Sequence, residues 1–147
     1  MNPNNFTQKS LEVLQSAQNK ALENRNSYIT PEHLFHALVS QDGGLIPSLF
    51  SKMGVDLNAL ASELESAIAA LPKLGTVAEV YLSPEASQVF AAAEKCAKSL
   101  GDQYLSVEHI MLGLFAAGGP GIKRILSDHG ITKNAFNTEL PCTGCAA

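Results

Sequence analysis

Tryptophan is absent and arginine occurs only twice, as Arg25 and Arg124. Charged residues make up 16% of the 147-residue chain and the net charge is −4. A chain this acidic, with so few guanidinium groups, presents no broad positive field for nucleic acid or an anionic membrane surface. Cysteine is scarce: Cys96 stands alone and Cys142 and Cys145 fall in the last six residues, so no disulfide framework can be assembled. No apolar run approaches the ~18 residues that a membrane span requires. The opening Met1-Asn-Pro-Asn-Asn-Phe6 lacks the basic and apolar regions of a signal peptide. A cytoplasmic location is the expectation. No glycine is followed by lysine, which excludes the phosphate-binding pattern G-x-x-x-x-G-K-[ST]. Disorder is excluded too, because 46% of the residues are hydrophobic.

The chain instead has an internal duplication. Shifted by 76 positions, residues 6–60 align with residues 82–136 without a gap and match at 13 of 55 positions. The identities include Val13/Val89, Ala17/Ala93, Tyr28/Tyr104, Glu32/Glu108, His33/His109, Leu38/Leu114 and Gly54/Gly130. Ordinary composition yields roughly 3 such matches. The boundaries that follow are repeat one over 6–71, a linker over 72–81, repeat two over 82–139 and an irregular tail over 140–147.

Within each repeat the apolar residues recur at helical spacing. Leu11, Leu14, Ala17 and Ala21 mark the first helix of repeat one, and Ala86, Phe90, Ala93, Ala97 and Leu100 that of repeat two. Thr30-Pro-Glu32 and Ser106-Val-Glu108 each read as a cap followed by an acid in the first turn, opening a second helix. Its inner face is Leu34, Ala37 and Leu38, matched by Ile110, Gly113 and Leu114. Gly43-Gly44 and Gly118-Gly-Pro-Gly121 are expected to break the chain before a third helix. A fourth follows from Asp56 or Thr132, long in repeat one and truncated in repeat two. No segment alternates apolar and polar residues over any length. The predicted fold is all-α, about eight helices in two pseudo-twofold-related four-helix repeats. Each repeat has few large side chains, so the two are expected to share one core and to leave the domain monomeric.

Candidate chemistry is sparse. Glu32-His33-Leu-Phe-His36 has the wrong order and spacing for H-E-x-x-H, and Leu112 stands in repeat two where His36 stands in repeat one, so no metal is expected. Cys142-Thr-Gly-Cys145 has C-x-x-C spacing but no second ligand pair. The repeated carboxylates are the most informative pair. Glu32 and Glu108 could serve their own helix dipoles or present negative charge to a ligand at the seam between repeats, beside the helix caps Thr7 and Ser83.

Phe6-Thr-Gln-Lys, Ile29-Thr-Pro-Glu-His-Leu34 with Leu105-Ser-Val-Glu-His-Ile110, Ala70-Leu-Pro72 and Val80-Tyr-Leu-Ser83 together resemble the Clp N-terminal (Clp repeat) domain of AAA+ unfoldases. The leader and linker look most like the ClpB disaggregase branch, and the resemblance covers residues 1 to about 140. It implies a non-enzymatic module that binds exposed apolar segments of unfolded or aggregated proteins, or an adaptor, above a hexameric ATPase ring. It further implies that ATP and Mg belong to the ring's own modules, with no cofactor in this chain. Thr7, Asp102 and Glu108 match the family's functional pattern, with Phe90, Tyr104 and Leu105 as apolar neighbours. In ClpC-type domains the paired glutamates bind phosphoarginine, which would place that ligand on Thr7, Glu32, Ser83 and Glu108. A free-standing regulatory chain docking on a Clp ring is a further alternative.

Overall fold

The computed structural model describes residues 6–41, 43–75 and 79–139. The expected tail over 140–147, with Cys142 and Cys145, lies outside them, as do the leader residues 1–5. Eight helices occur among the described residues. Repeat one contributes α1 (Gln8–Glu23), α2 (Pro31–Ser40), α3 (Leu45–Lys52) and α4 (Leu57–Ala69). Repeat two contributes α5 (Pro84–Ser99), α6 (Val107–Ala117), α7 (Gly119–Asp128) and the short α8 (Lys133–Glu139). Three of the expected caps act through their side chains: those of Thr7, Asp56 and Ser83 accept backbone N–H groups of α1, α4 and α5.

Two expectations need correction. The inner face of α1 is Ser10, Val13, Ala17 and Ala21, while Leu11 and Leu14 are only half-buried. The stripe is rotated because Ser10 can enter the interior: its Oγ donates to the Leu105 carbonyl at 2.8 Å. The Val13/Val89 identity carried that signal, since both valines are buried. The glycine-rich run does break the chain before α7, but over a shorter stretch than its four residues suggest. Only Gly118 separates α6 from α7, and Gly119-Pro-Gly121 forms the first turn of α7, where proline suits a helix start.

Two short parallel connections bind the repeats reciprocally. The strands β1 (Tyr28–Ile29) and β2 (Tyr81–Leu82) pair with Tyr28 opposite Tyr81 and Ile29 opposite Leu82. An isolated bridge joins Phe6 to Leu105. Under the 76-residue shift these are one feature used twice: the segment leading into each repeat's first helix adds to the other repeat. Ser83 N–H donates to the Ile29 carbonyl and Thr7 N–H to the Leu105 carbonyl, each at 3.0 Å.

A single apolar core takes residues from every helix except α8's outer turns, and α5 against α6 forms its tightest packing. Gly113 of α6 lies so close to α5 that a Cβ there would meet the Val89 carbonyl oxygen at 2.3 Å. Phe50 meets Phe35 of its own repeat and Phe136 of the other edge-on, with centroids 6.2 Å apart in both pairs, and Phe136 continues to Phe115 at 5.6 Å. Edge-to-face contacts of this kind add to the burial of the rings.

Candidate functional site

The site residues are held by a histidine device that occurs once in each repeat. The backbone N–H of Thr30 donates to His33 Nδ1, and that of Ser106 donates to His109 Nδ1, both at 2.9 Å. An Nδ1 that accepts carries no proton, so Nε2 holds the hydrogen. His33 Nε2 therefore donates to Asn26 Oδ1 at 3.0 Å, and His109 Nε2 to Asp102 Oδ2 at 2.8 Å. Positions 26 and 102 correspond under the repeat, and the difference between them has a reason. Asn26 must also donate, and its Nδ2 reaches the Pro72 carbonyl at 2.9 Å, tying down the linker. A carboxylate there would face a carbonyl oxygen. Asp102 bears no such second duty.

Burial, followed by the nearby charges of His36 and Lys20, lowers the pKa of His33 to about 4. The unfolded chain takes up the corresponding proton near pH 6.5, whereas the native ring resists it until about 4. The stability contributed by the neutral ring is thus present above pH 6.5 and is lost as the pH falls from there toward 4. Urea unfolding is expected to give about 2 kcal/mol less stability at about pH 5 than at about pH 7. NMR of the imidazole should show His33 still neutral at the lower pH. A stability unchanged over that interval would contradict this reading.

The sequence-assigned residues occupy two structural roles. Thr7, Phe90 and Leu105 meet around Phe6: Thr7 N–H and Ser10 Oγ share the Leu105 carbonyl, and the Phe6 ring stacks on Phe90 at 5.8 Å. Phe90 is only 2% exposed and Leu105 is buried, so neither stands on the open surface. Phe90 forms part of the lining of a shallow depression of about 300 Å³ with Leu82, Ser87, Ala91 and Glu94. Tyr104, by contrast, is 55% exposed.

Asp102 and Glu108 flank the same segment on the polar side. Asp102 holds His109, and Glu108 accepts the Ser106 hydroxyl. Glu32 reaches across the repeats: its Oε2 would lie 3.4 Å from a Cβ on Gly121, in the first turn of α7. That helix has no side-chain cap and no acid of its own in its first turn, so the Glu32 carboxylate favours its positive end. Ser83 caps α5 and bridges to Ile29, three residues before Glu32, just as Thr7 bridges to Leu105, three residues before Glu108. The fold therefore ties each of the two hydroxyl-bearing caps, by a backbone hydrogen bond, to the segment of the other repeat that leads to a glutamate.

A larger depression, about 510 Å³, lies elsewhere. It is a polar trough between α1 and α4, with Glu23, Ser62 and Ser66 in its walls and the Lys20–Glu65 ion pair, at 3.0 Å, across it. None of the sequence-assigned residues lines it. Among the described residues no cluster of three or more His, Cys, Asp or Glu side chains is arranged to hold a metal. No helix among them is long and apolar enough to cross a membrane.

The family model of the Clp repeat (R) N-terminal domain matches residues 5–129. The chain belongs to this family. The chaperone protein ClpB of Clostridium tetani is 36% identical over 139 residues, covering 92% of this chain and 16% of that protein. ClpB of Brucella suis is 35% identical over 141 residues, 95% of this chain and again 16% of the relative. The chain thus spans about a sixth of the length of the ClpB relatives it matches. The Hsp104 N-terminal domain from Candida albicans superposes with a TM-score of 0.81 at 21% identity, covering 92% of this chain and 88% of that one. A complex of the ClpV N-domain with a VipB peptide gives 0.74 at 15% identity, covering 97% and 88%. These neighbours carry the same all-α Clp N-domain architecture.

Proposed function

We propose that this Clp N-domain binds exposed apolar segments of unfolded or aggregated proteins as the client-binding module of a ClpB-like, ATP-dependent disaggregase. The observation that carries this reading is the sequence relationship to ClpB over nearly the whole chain. The geometry supports it: the depression over Phe90 is shallow, has an apolar floor and carries Glu94 in its lining, which suits a short extended segment better than a compact ligand. The neighbouring ClpV N-domain complex supports seating of a peptide on this architecture. On this reading Asp102 and Glu108 favour basic flanking residues of the client, and Tyr104 supplies an exposed ring. Affinity for one segment is about micromolar or weaker, on the order of −8 kcal/mol. A ring of such modules multiplies it.

The test is titration of the domain with a labelled, permanently unfolded polypeptide at low and high salt. Saturable binding of the unfolded chain, absent for a folded control, is expected. Glu108→Ala should weaken it about two- to threefold at low salt and leave it nearly unchanged at high salt, where exposed charges are screened. Equal signals for the folded and unfolded chains would refute client binding. A second reading, recognition of phosphoarginine or of an adaptor, is favoured by the duplicated pairing of Thr7 with the Glu108 segment and Ser83 with the Glu32 segment. Free phosphoarginine added to the same titration decides between them, because only the second reading has it bind at Glu32 and Glu108.

A further inference from the structure

The large apolar side chains left at the surface are unevenly placed. Of five such residues among those described, four share one region: Leu22 in the last turn of α1, Tyr28 in β1, and Leu74 and Tyr81 in the linker are 40%, 51%, 46% and 57% exposed, while the fifth, Tyr104, belongs to repeat two. Hydrogen bonds make them neighbours. Arg25 N–H donates to the Leu22 carbonyl at 3.0 Å, Leu74 N–H to the Arg25 carbonyl at 2.8 Å, and Tyr81 N–H to the Ser27 carbonyl at 3.0 Å. Tyr28 and Tyr81 stand side by side in the parallel pair. The backbone around Leu74 is held in place, because Asn26 donates to the Pro72 carbonyl and Leu74 N–H donates to that of Arg25.

Arg25 sits in the middle of this strip with φ of 56°, and no other non-glycine residue described has a positive φ. The corresponding residue of repeat two is Gly101, with φ of 75°. The same turn therefore occurs twice, once with the residue that adopts it freely and once with an exposed arginine that does not. Strain kept at an exposed side chain points to a use for that side chain. Arg25 and Lys73 are both exposed, and neither forms an ion pair among the described residues. In a domain of net charge −4 they place a cationic spot inside an apolar, tyrosine-bearing strip. The acid closest to hand in the linker, Glu79, already accepts the Tyr81 hydroxyl.

We infer that this strip is a second docking surface, separate from the depression on α5, for an extended protein segment that carries a carboxylate among apolar residues. The carboxylate pairs with the Arg25 guanidinium, which offers paired donors in a fixed fork. The apolar residues of the segment lie against Tyr28, Tyr81 and Leu74, whose flat or fixed surfaces are ordered before binding.

The probes are a synthetic peptide with two glutamates between leucine and phenylalanine residues, and its counterpart with lysines in place of the glutamates. By fluorescence anisotropy the acidic peptide should bind at least about fivefold more tightly than the lysine peptide. Arg25→Gly should abolish that preference while raising the thermal midpoint, since glycine relieves the strained turn. A folding defect cannot then explain the loss. Tyr28→Ser combined with Tyr81→Ser should weaken both peptides. The binding of unfolded client at the α5 depression should be unchanged in Arg25→Gly, so this inference and the proposed client-binding role fail independently. No binding of the acidic peptide, equal affinity for the two peptides, or an unaltered preference in Arg25→Gly would overturn it. A concentration-dependent dimer by sedimentation, lost in the double tyrosine variant, would overturn it too and assign the strip to a second copy of the chain.

Discussion

Phe50→Ala is expected to lower the unfolding free energy by about 3–5 kcal/mol, the range for removing a fully buried aromatic side chain. Phe50 has no exposed surface and stands between Phe35 of its own repeat and Phe136 of the other. Its loss removes two edge-to-face contacts and leaves a cavity on the boundary between repeats. That boundary is hard to collapse, because the reciprocal bridges at Phe6–Leu105 and Tyr28–Tyr81 hold the repeats in place. Urea unfolding followed by circular dichroism is the measurement. A loss below about 1.5 kcal/mol would mean that the site closes around the gap and that Phe50 does not join the repeats.

Gly113→Ala carries the second large effect and runs against local propensity. Alanine in a helix interior is favoured over glycine by about 1 kcal/mol, so an isolated α6 would gain from the change. In the folded domain the new methyl group would meet the Val89 carbonyl oxygen at 2.3 Å and the Ala93 nitrogen at 3.3 Å, both backbone atoms of α5. Backbone cannot rotate aside as a side chain does, so α5 and α6 must separate along the tightest seam of the core. A net loss of about 3 kcal/mol is expected, at the upper end for overpacking. The same denaturation experiment reads it. Ala37, the counterpart in repeat one, is buried and tolerated, so the reverse change Ala37→Gly should cost about 1 kcal/mol by propensity alone. A stabilised Gly113→Ala would show that the close approach of the two helices is not what glycine serves there.

Much of this architecture is legible in the chain. Helical spacing, caps at Thr7, Asp56 and Ser83, and glycines such as Gly54 and Gly130 are local signals. They act over a few residues through backbone hydrogen bonding and conformational freedom. The 76-residue repeat is legible for a different reason: it compares the chain with itself and needs no energy function. It led directly to eight helices and to the pairing of Glu32 with Glu108. The assignment of the chain to the Clp repeat family rests on those same residues.

What the chain could not show by itself lies wherever two distant segments meet. The rotation of the α1 stripe depended on a carbonyl 95 positions away that accepts the hydroxyl of Ser10. Helical spacing places Phe90 on an apolar face but does not say that Phe6 stacks on it, nor that the Leu105 carbonyl takes donors from α1 and its cap. The two-residue strands are too short to alternate, so no periodicity announces them, and their pairing exists only because each repeat lends its leading segment to the other. The exposed strip around Arg25 is of the same kind. Nothing local marks Leu74 and Tyr81 as neighbours of Leu22 and Tyr28. Local chemistry determined which helices form and where they stop. Tertiary contact decided which faces are buried, which polar groups are satisfied and which residues remain at the surface, because those outcomes depend on partners that sequence distance does not reveal.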